Sequence, residues 1–173
     1  NDYPVVDYIL GLEKEETSAD NANNKNYKTF TPTMQSLITN YCNAGGNIFV
    51  SGSYLGSDMN TNPNERTFTE NILKYRYDRS IRDSYSGQVY GMGRTMEIPR
   101  MMNEKSYAVP APESIIPIAP AFSSFIYTDG NRSAGTAYKG SYRTFVLGFP
   151  FESIISEQER ARVMSGILGF FSK

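Results

Sequence analysis

Apolar and polar residues fall into blocks along this chain, and each block predicts an element. Pro4 to Leu10 (PVVDYIL) is a short apolar run that reads as a buried strand. Glu13 to Lys28 follows, acidic and then Asn-rich; with no periodicity it reads as a long surface loop. Thr31 and Pro32 open a helix, Thr as N-cap and Pro at the first helical position. Met34, Leu37, Ile38, Tyr41 and Cys42 recur at helical spacing, and Gly45-Gly46 ends the helix. A strand over Asn47–Ser51 comes next, then a small-residue turn and the polar loop SDMNTNPNE.

A second helix is predicted from about Asn64 to Tyr77, with Phe68, Ile72 and Tyr75 on one side. Short β-like pieces cover Gln88–Gly91 and Thr95–Ile98. Prolines 110, 112, 117 and 120 reduce the next stretch to an extended connection with at most an edge strand. Phe122 to Thr128 is a strand ending in the turn Asp129-Gly130, and Ala134–Lys139 with Arg143–Leu147 looks like an antiparallel pair around Gly140. The last helix starts at the capping-box spacing Ser156/Glu159 and carries Arg160, Met164, Ile167, Leu168 and Phe171 at helical intervals.

This order predicts one α/β domain over residues 1–173: a three-layer sandwich, flavodoxin-like in the broad sense. Its central sheet is expected to be mostly parallel, with some antiparallel strands toward the C-terminus. In such sheets ligands sit beyond the carboxyl ends of the strands. One continuous core is expected from Val5, Val6, Ile9, Met34, Leu37, Ile38, Ile48, Val50, Val146, Met164, Ile167 and Leu168.

Composition narrows the chemistry. A net charge of −1 favours neither nucleic acid nor an anionic membrane, and no apolar run approaches the roughly 20 residues of a membrane helix. The chain starts within a strand-like run, as a piece of a larger protein would. The single cysteine, Cys42, excludes an internal disulfide and lies on an apolar helix face, where a buried inert thiol is expected. With no histidine, the commonest general base and zinc ligand is missing. Hydrolytic chemistry here would have to run on carboxylates, Lys or Tyr.

The segment GNIFVSGSYLGSDM has the outline of a nucleophile elbow, a strand driving into a sharp small-residue turn, yet its centre is Tyr54. Ser53 lacks a base of the usual kind and is read as turn packing. Asp58-Met-Asn-Thr-Asn imitates the start of a calcium loop but has Pro63 where Gly and Thr69 where Glu are required, so it reads as a solvated loop. Glu13, Glu15 and Glu16 form an acidic run. The 13 tyrosines offer stacking surface as well as core.

The run YPVVDYILG … FTPTMQSLITNYCNAGGNIFVSGSYLGSD, with the ending FVLGFPFESIISEQERARVMSGILGFF, resembles the class I glutamine amidotransferase-like fold. GLEKEET, GGNIFVSGSYLGSDM and GFPFESI look closest to a non-amidotransferase branch found in large secreted bacterial proteins of xanthan lyase-like type. Carried over residue by residue, Tyr54 stands at the nucleophile position and Phe149 at the histidine position, and Glu152 is displaced by one from the triad acid. A triad needs a base to deprotonate its nucleophile. The resemblance therefore implies a non-catalytic accessory or binding domain of a secreted carbohydrate-related bacterial protein, secreted or periplasmic/cell-surface. The alternative is a polysaccharide lyase or hydrolase using Tyr and carboxylates at the same pocket. No cofactor and no metal is expected. The expected partners are a poly- or oligosaccharide and other domains of the parent chain. The ligand site is placed at Glu13, Ser53, Tyr54 and Asp58, brought together where the first two strands end.

Overall fold

Where the opening apolar run was expected to form a strand, β1 spans Val5–Gly11 in the computed structural model, which describes residues 3–15, 28–82 and 85–172. Residues 16–27, most of the predicted long loop and with them Glu16, lie outside the described residues. The first helix, α1 (Pro32–Asn43), begins and ends as its sequence dictates. The Thr31 hydroxyl accepts from the Met34 amide at 3.3 Å. At the other end the Gly45 and Gly46 amides donate to the carbonyls of Cys42 and Tyr41, a closure that needs the left-handed φ of +85° at Gly45.

After β2 (Asn47–Gly52) the chain turns through the elbow into α2 (Pro63–Phe68), which Asn62 caps by accepting from the Glu65 amide. The expected helix to Tyr77 stops early. A π-helical turn over Thr69–Leu73 ends at Lys74, in the left-handed region at φ +65°, and β3 (Tyr75–Ser80) follows. The carbonyls released there are taken up from outside the helix: Tyr142 Oη donates to Ile72 at 2.9 Å and Thr144 Oγ1 to Leu73 at 3.1 Å.

The remaining strands are β4 (Gln88–Gly91), β5 (Arg94–Glu97), β6 (Glu113–Pro117), β7 (Phe122–Tyr127), β8 (Arg132–Lys139) and β9 (Arg143–Leu147). The closing helix α3 covers Glu157–Ser172, with the Ser156 hydroxyl accepting from the Glu159 amide at 3.3 Å. Seven strands form one sheet in the order β1-β2-β9-β8-β7-β4-β5, and β3 pairs with β6 in a separate antiparallel ribbon.

This corrects the expected architecture. Among the described residues only the pairings β1–β2 and β2–β9 are parallel; β9–β8, β8–β7, β7–β4 and β4–β5 are antiparallel. The result is a strongly curled, mixed sheet, a half-barrel with few helices, and not the mostly parallel flavodoxin-like sandwich of a glutamine amidotransferase-like domain. The physical reason lies in the connections. Parallel neighbours need long crossovers, whereas the turns at Asp129-Gly130, Gly91-Met92-Gly93 and Gly140 are too short to give anything but antiparallel pairs.

Alternation along β2 and β9 splits the apolar residues between two cores rather than one. Phe49, Phe145 and Leu147 join Val163, Ile167 and Phe171 of α3. Ile48, Val50 and Val146 join Ile38 and Cys42 of α1, with Phe68 and Leu73. Burial pushes the Cys42 thiol up to about 12, so it stays protonated and inert. Three expected core residues are surface instead: Leu37 is 63% exposed, Ile9 49% and Leu168 47%. In α3 the buried stripe is Val163-Ile167-Phe171, so the apolar run extends onto the solvent side at Leu168.

Candidate functional site

β1 and β2 lie side by side and parallel, so the loops that follow them emerge at the same end of the sheet. Those loops are joined directly. The Ser53 amide donates to the Gly11 carbonyl at 2.9 Å, and the Glu15 amide donates to Asp58 Oδ1 at 3.1 Å. Lys14 Nζ sits 5.0 Å from the centre of the Tyr54 ring, within range of a cation–π contact.

Asp58, which the sequence offers as a ligand group, is occupied by the protein itself. It is buried, and its second oxygen accepts from the Thr29 amide at 2.7 Å and the Thr29 hydroxyl at 3.0 Å. It fastens the segment entering α1 to the elbow. A second tie runs beside it, Lys28 Nζ lying 2.8 Å from Glu65 and 3.2 Å from Glu15. Asp58 and Asn62 are therefore spent on folding, and among the described residues no group of three His, Cys, Asp or Glu could hold a metal ion.

The other support of the elbow was not anticipated. Glu113, on β6 and 1% exposed, reaches under the turn, where its carboxylate accepts from the Gly56 amide at 2.7 Å and the Ser57 amide at 3.1 Å. Next to it Tyr75 Oη donates to the Leu55 carbonyl at 2.9 Å, and the Asp58 amide donates to the Tyr54 carbonyl at 3.1 Å. The β3–β6 ribbon thus satisfies the backbone of residues 55–57 from below. Burial pushes the Glu113 carboxyl up to about 7, more than its hydrogen bonds from Ser57 and Gly56 pull it down. Its sequence signal was available: Glu113 is the only charged residue between Lys105 and Asp129. A lone charge in an apolar, Pro-rich run needs a buried partner.

Gly56 makes room for this staple. A Cβ there would run into the Tyr77 ring and come within 3.0 Å of Glu113 Oε2. Gly56→Ala is expected to cost roughly 1–3 kcal/mol of stability in denaturant melts, the usual range for overpacking. A change below about half a kcal/mol would mean that the turn is free to shift.

The remaining predicted residues do not converge on a reacting centre. Ser53 is fully buried, and its Oγ has no hydrogen-bond partner among the described residues. Tyr54 is half-buried beside Lys14. Glu13 shares this end of the sheet but lines a separate cleft of about 370 Å³ with Leu10, Lys28, Thr29, Thr31 and Met34. Phe149, at the histidine position of the resemblance, is 0% exposed and packs edge-on against Phe125 and Tyr127. Glu152 instead accepts a short hydrogen bond from Tyr107 Oη.

No family model matches this sequence, and no curated protein matches it. Among solved structures, the fold is similar to one described as the mmIFT52 N-terminal domain. The TM-score is 0.58, over 98% of this chain and 77% of that one, at 16% identity. At that identity the likeness shows the fold alone. It agrees with the curled mixed sheet.

Proposed function

We propose that this chain is a non-catalytic binding domain, an accessory part of a larger secreted, carbohydrate-related bacterial protein. One observation carries the non-catalytic half: the two carboxylates of the elbow, Asp58 and Glu113, are both committed to main-chain amides of the protein itself. A general base must reach a substrate proton at hydrogen-bond distance, and neither group is free to do so. Ser53 has a sealed hydroxyl, and Phe149 is buried in the core against Phe125 and Tyr127.

The carbohydrate half is supported by the likeness of GLEKEET, GGNIFVSGSYLGSDM and GFPFESI to xanthan lyase-like proteins and by one half-buried feature. The Tyr54 ring and the Lys14 ammonium together offer a stacking face and a hydrogen-bond donor at the end of the sheet. Exposed polar contacts compete with water, so affinity for an oligosaccharide is expected in the millimolar to high-micromolar range, about 4–6 kcal/mol.

An NMR titration with a panel of oligosaccharides checks this, run alongside absorbance of unsaturated sugar products and ammonia release from glutamine. Expected are shifts at residues 12–15 and 52–58, lost in Tyr54→Ala, with neither product formed. Equal binding by Tyr54→Ala would remove this face from consideration. Turnover abolished by Tyr54→Phe would make the domain an enzyme.

A further inference from the structure

α1 and the helical segment Pro63–Leu73, made of α2 and its π-helical turn, send their buried apolar residues into the same core. Their flanks meet across a cleft of about 540 Å³. Pro32, Gln35, Ser36, Thr39 and Asn40 line it from α1, and Asn64, Thr67, Phe68, Asn71 and Ile72 line it from the other side. Each set falls at i, i+3, i+4, i+7 and i+8, one continuous face of a helix. Helix faces that close on each other are ordinarily apolar and interdigitated. These two are mostly polar, and they stand apart around a recess of ligand size.

No Lys, Arg, Asp or Glu lines the cleft. The hydroxyls around it have their protons engaged within their own helices. Ser36 Oγ donates to the Pro32 carbonyl at 3.0 Å, Thr39 Oγ1 to Gln35 at 2.7 Å and Thr67 Oγ1 to Pro63 at 2.8 Å. Each oxygen is left as an acceptor. Gln35 Nε2 is tied to the Phe30 carbonyl at 2.9 Å, which fixes the amide and leaves its own Oε1 to accept. Asn40, Asn64 and Asn71 are exposed, and no side-chain hydrogen bond joins any of them to another described residue. They supply both donors and acceptors. Phe68 is 6% exposed and Ile72 half-buried, so the floor offers little apolar surface.

Such a lining selects among ligands. An anionic group only accepts hydrogen bonds, and here it would meet acceptors and no cation. The apolar anchors of a docking peptide would find no deep pocket. A ligand dense in hydroxyl groups fits, because each O–H can donate to the helix-held oxygens while its own oxygen accepts from an Asn amide. We propose that the cleft between α1 and Pro63–Leu73 binds a neutral oligosaccharide. Ser36, Thr39 and Thr67 accept from sugar hydroxyls, and Asn40, Asn64 and Asn71 hold the hydroxyls from either side. The class of ligand rests on the saccharide reading above, but the place is separate: none of these residues belongs to the Tyr54–Lys14 face.

The test is an NMR titration of the whole chain with cellopentaose, mannopentaose, pentagalacturonate and a neutral Gly-Ser peptide. Shifts of the Asn40, Asn64 and Asn71 side-chain amides are expected with at least one of the two neutral sugars. Pentagalacturonate and the peptide are expected to bind there at least about tenfold more weakly. Asn40→Ala combined with Asn71→Ala, both at exposed sites, is expected to weaken the neutral sugar about tenfold, and Tyr54→Ala to leave its binding in the cleft unchanged. Should the double variant lose its folded spectrum, Thr67→Val serves instead, removing an acceptor while keeping the shape, with a several-fold loss expected. Shifts confined to residues 12–15 and 52–58 overturn the cleft and leave the saccharide reading standing. No shift anywhere with either neutral sugar overturns both. Equal binding of pentagalacturonate or of the peptide in the cleft overturns its assignment to a neutral sugar.

Discussion

Glu113→Ala is expected to lower stability by about 2–4 kcal/mol at pH 5 and by clearly less at pH 8. At pH 5 the wild-type carboxyl, pushed up to about 7 by burial, is mostly neutral in the fold and carries no desolvation penalty. The alanine variant then leaves the buried Gly56 amide and the Ser57 amide without an acceptor, at roughly 1–3 kcal/mol for each unsatisfied group. At pH 8 the wild type already bears the cost of a buried carboxylate, so less is lost when it is removed. The sign follows from linkage. The folded-state value lies above the ordinary 4.5, so this group's contribution is fully present below about pH 4.5. It is lost as pH rises through 7, by an amount on the order of 3 kcal/mol. Glu113→Gln cannot titrate, and the difference between wild type and this variant in urea melts from pH 4 to 8 isolates the effect. A difference that stays flat with pH would place the carboxyl in water.

Ile167→Ala is expected to cost roughly 2–5 kcal/mol, and Leu168→Ala less than about 1 kcal/mol, although the two residues are adjacent and equally apolar. Ile167 is 0% exposed between Val163 and Phe171, whereas Leu168 is 47% exposed. Urea melts of both variants check the face of α3; similar losses would mean that Leu168 is covered.

Elements set by local chemistry were legible in the sequence. The Thr31-Pro32 start of α1, its Gly45-Gly46 end, the Ser156 cap of α3 and the strands around Gly140 all depend on residues within a few positions of one another. What failed depended on distant partners. Helix periodicity ran on through Tyr75 because nothing local reveals that Tyr142 and Thr144, some 70 residues later, hold the carbonyls of a π-helical end. The sheet was misjudged because apolar runs such as IFVSG report burial on both faces, which a curled mixed sheet gives to its middle strands as well as a parallel one does.

The site shows the same division. The meeting of the loops after β1 and β2 was readable, since adjacent parallel strands deliver their loops to one edge. The roles within it were not. Asp58 looked like a ligand group because its partners, Thr29 and Glu15, lie 29 and 43 residues away. Glu113 lies 57 residues from Gly56, with only its isolation among apolar residues to mark it.

The central claim is that the elbow is a stapled junction whose main-chain amides are held by Glu113. The most direct test is an NMR pH titration that follows the side-chain carboxyl carbon of Glu113 together with the amide protons of Gly56 and Ser57. The account predicts one transition near pH 7, shared by the carboxyl and both amides. A carboxyl that titrates near its ordinary 4.5 while the two amides stay still would contradict it, and would leave the turn open to a ligand.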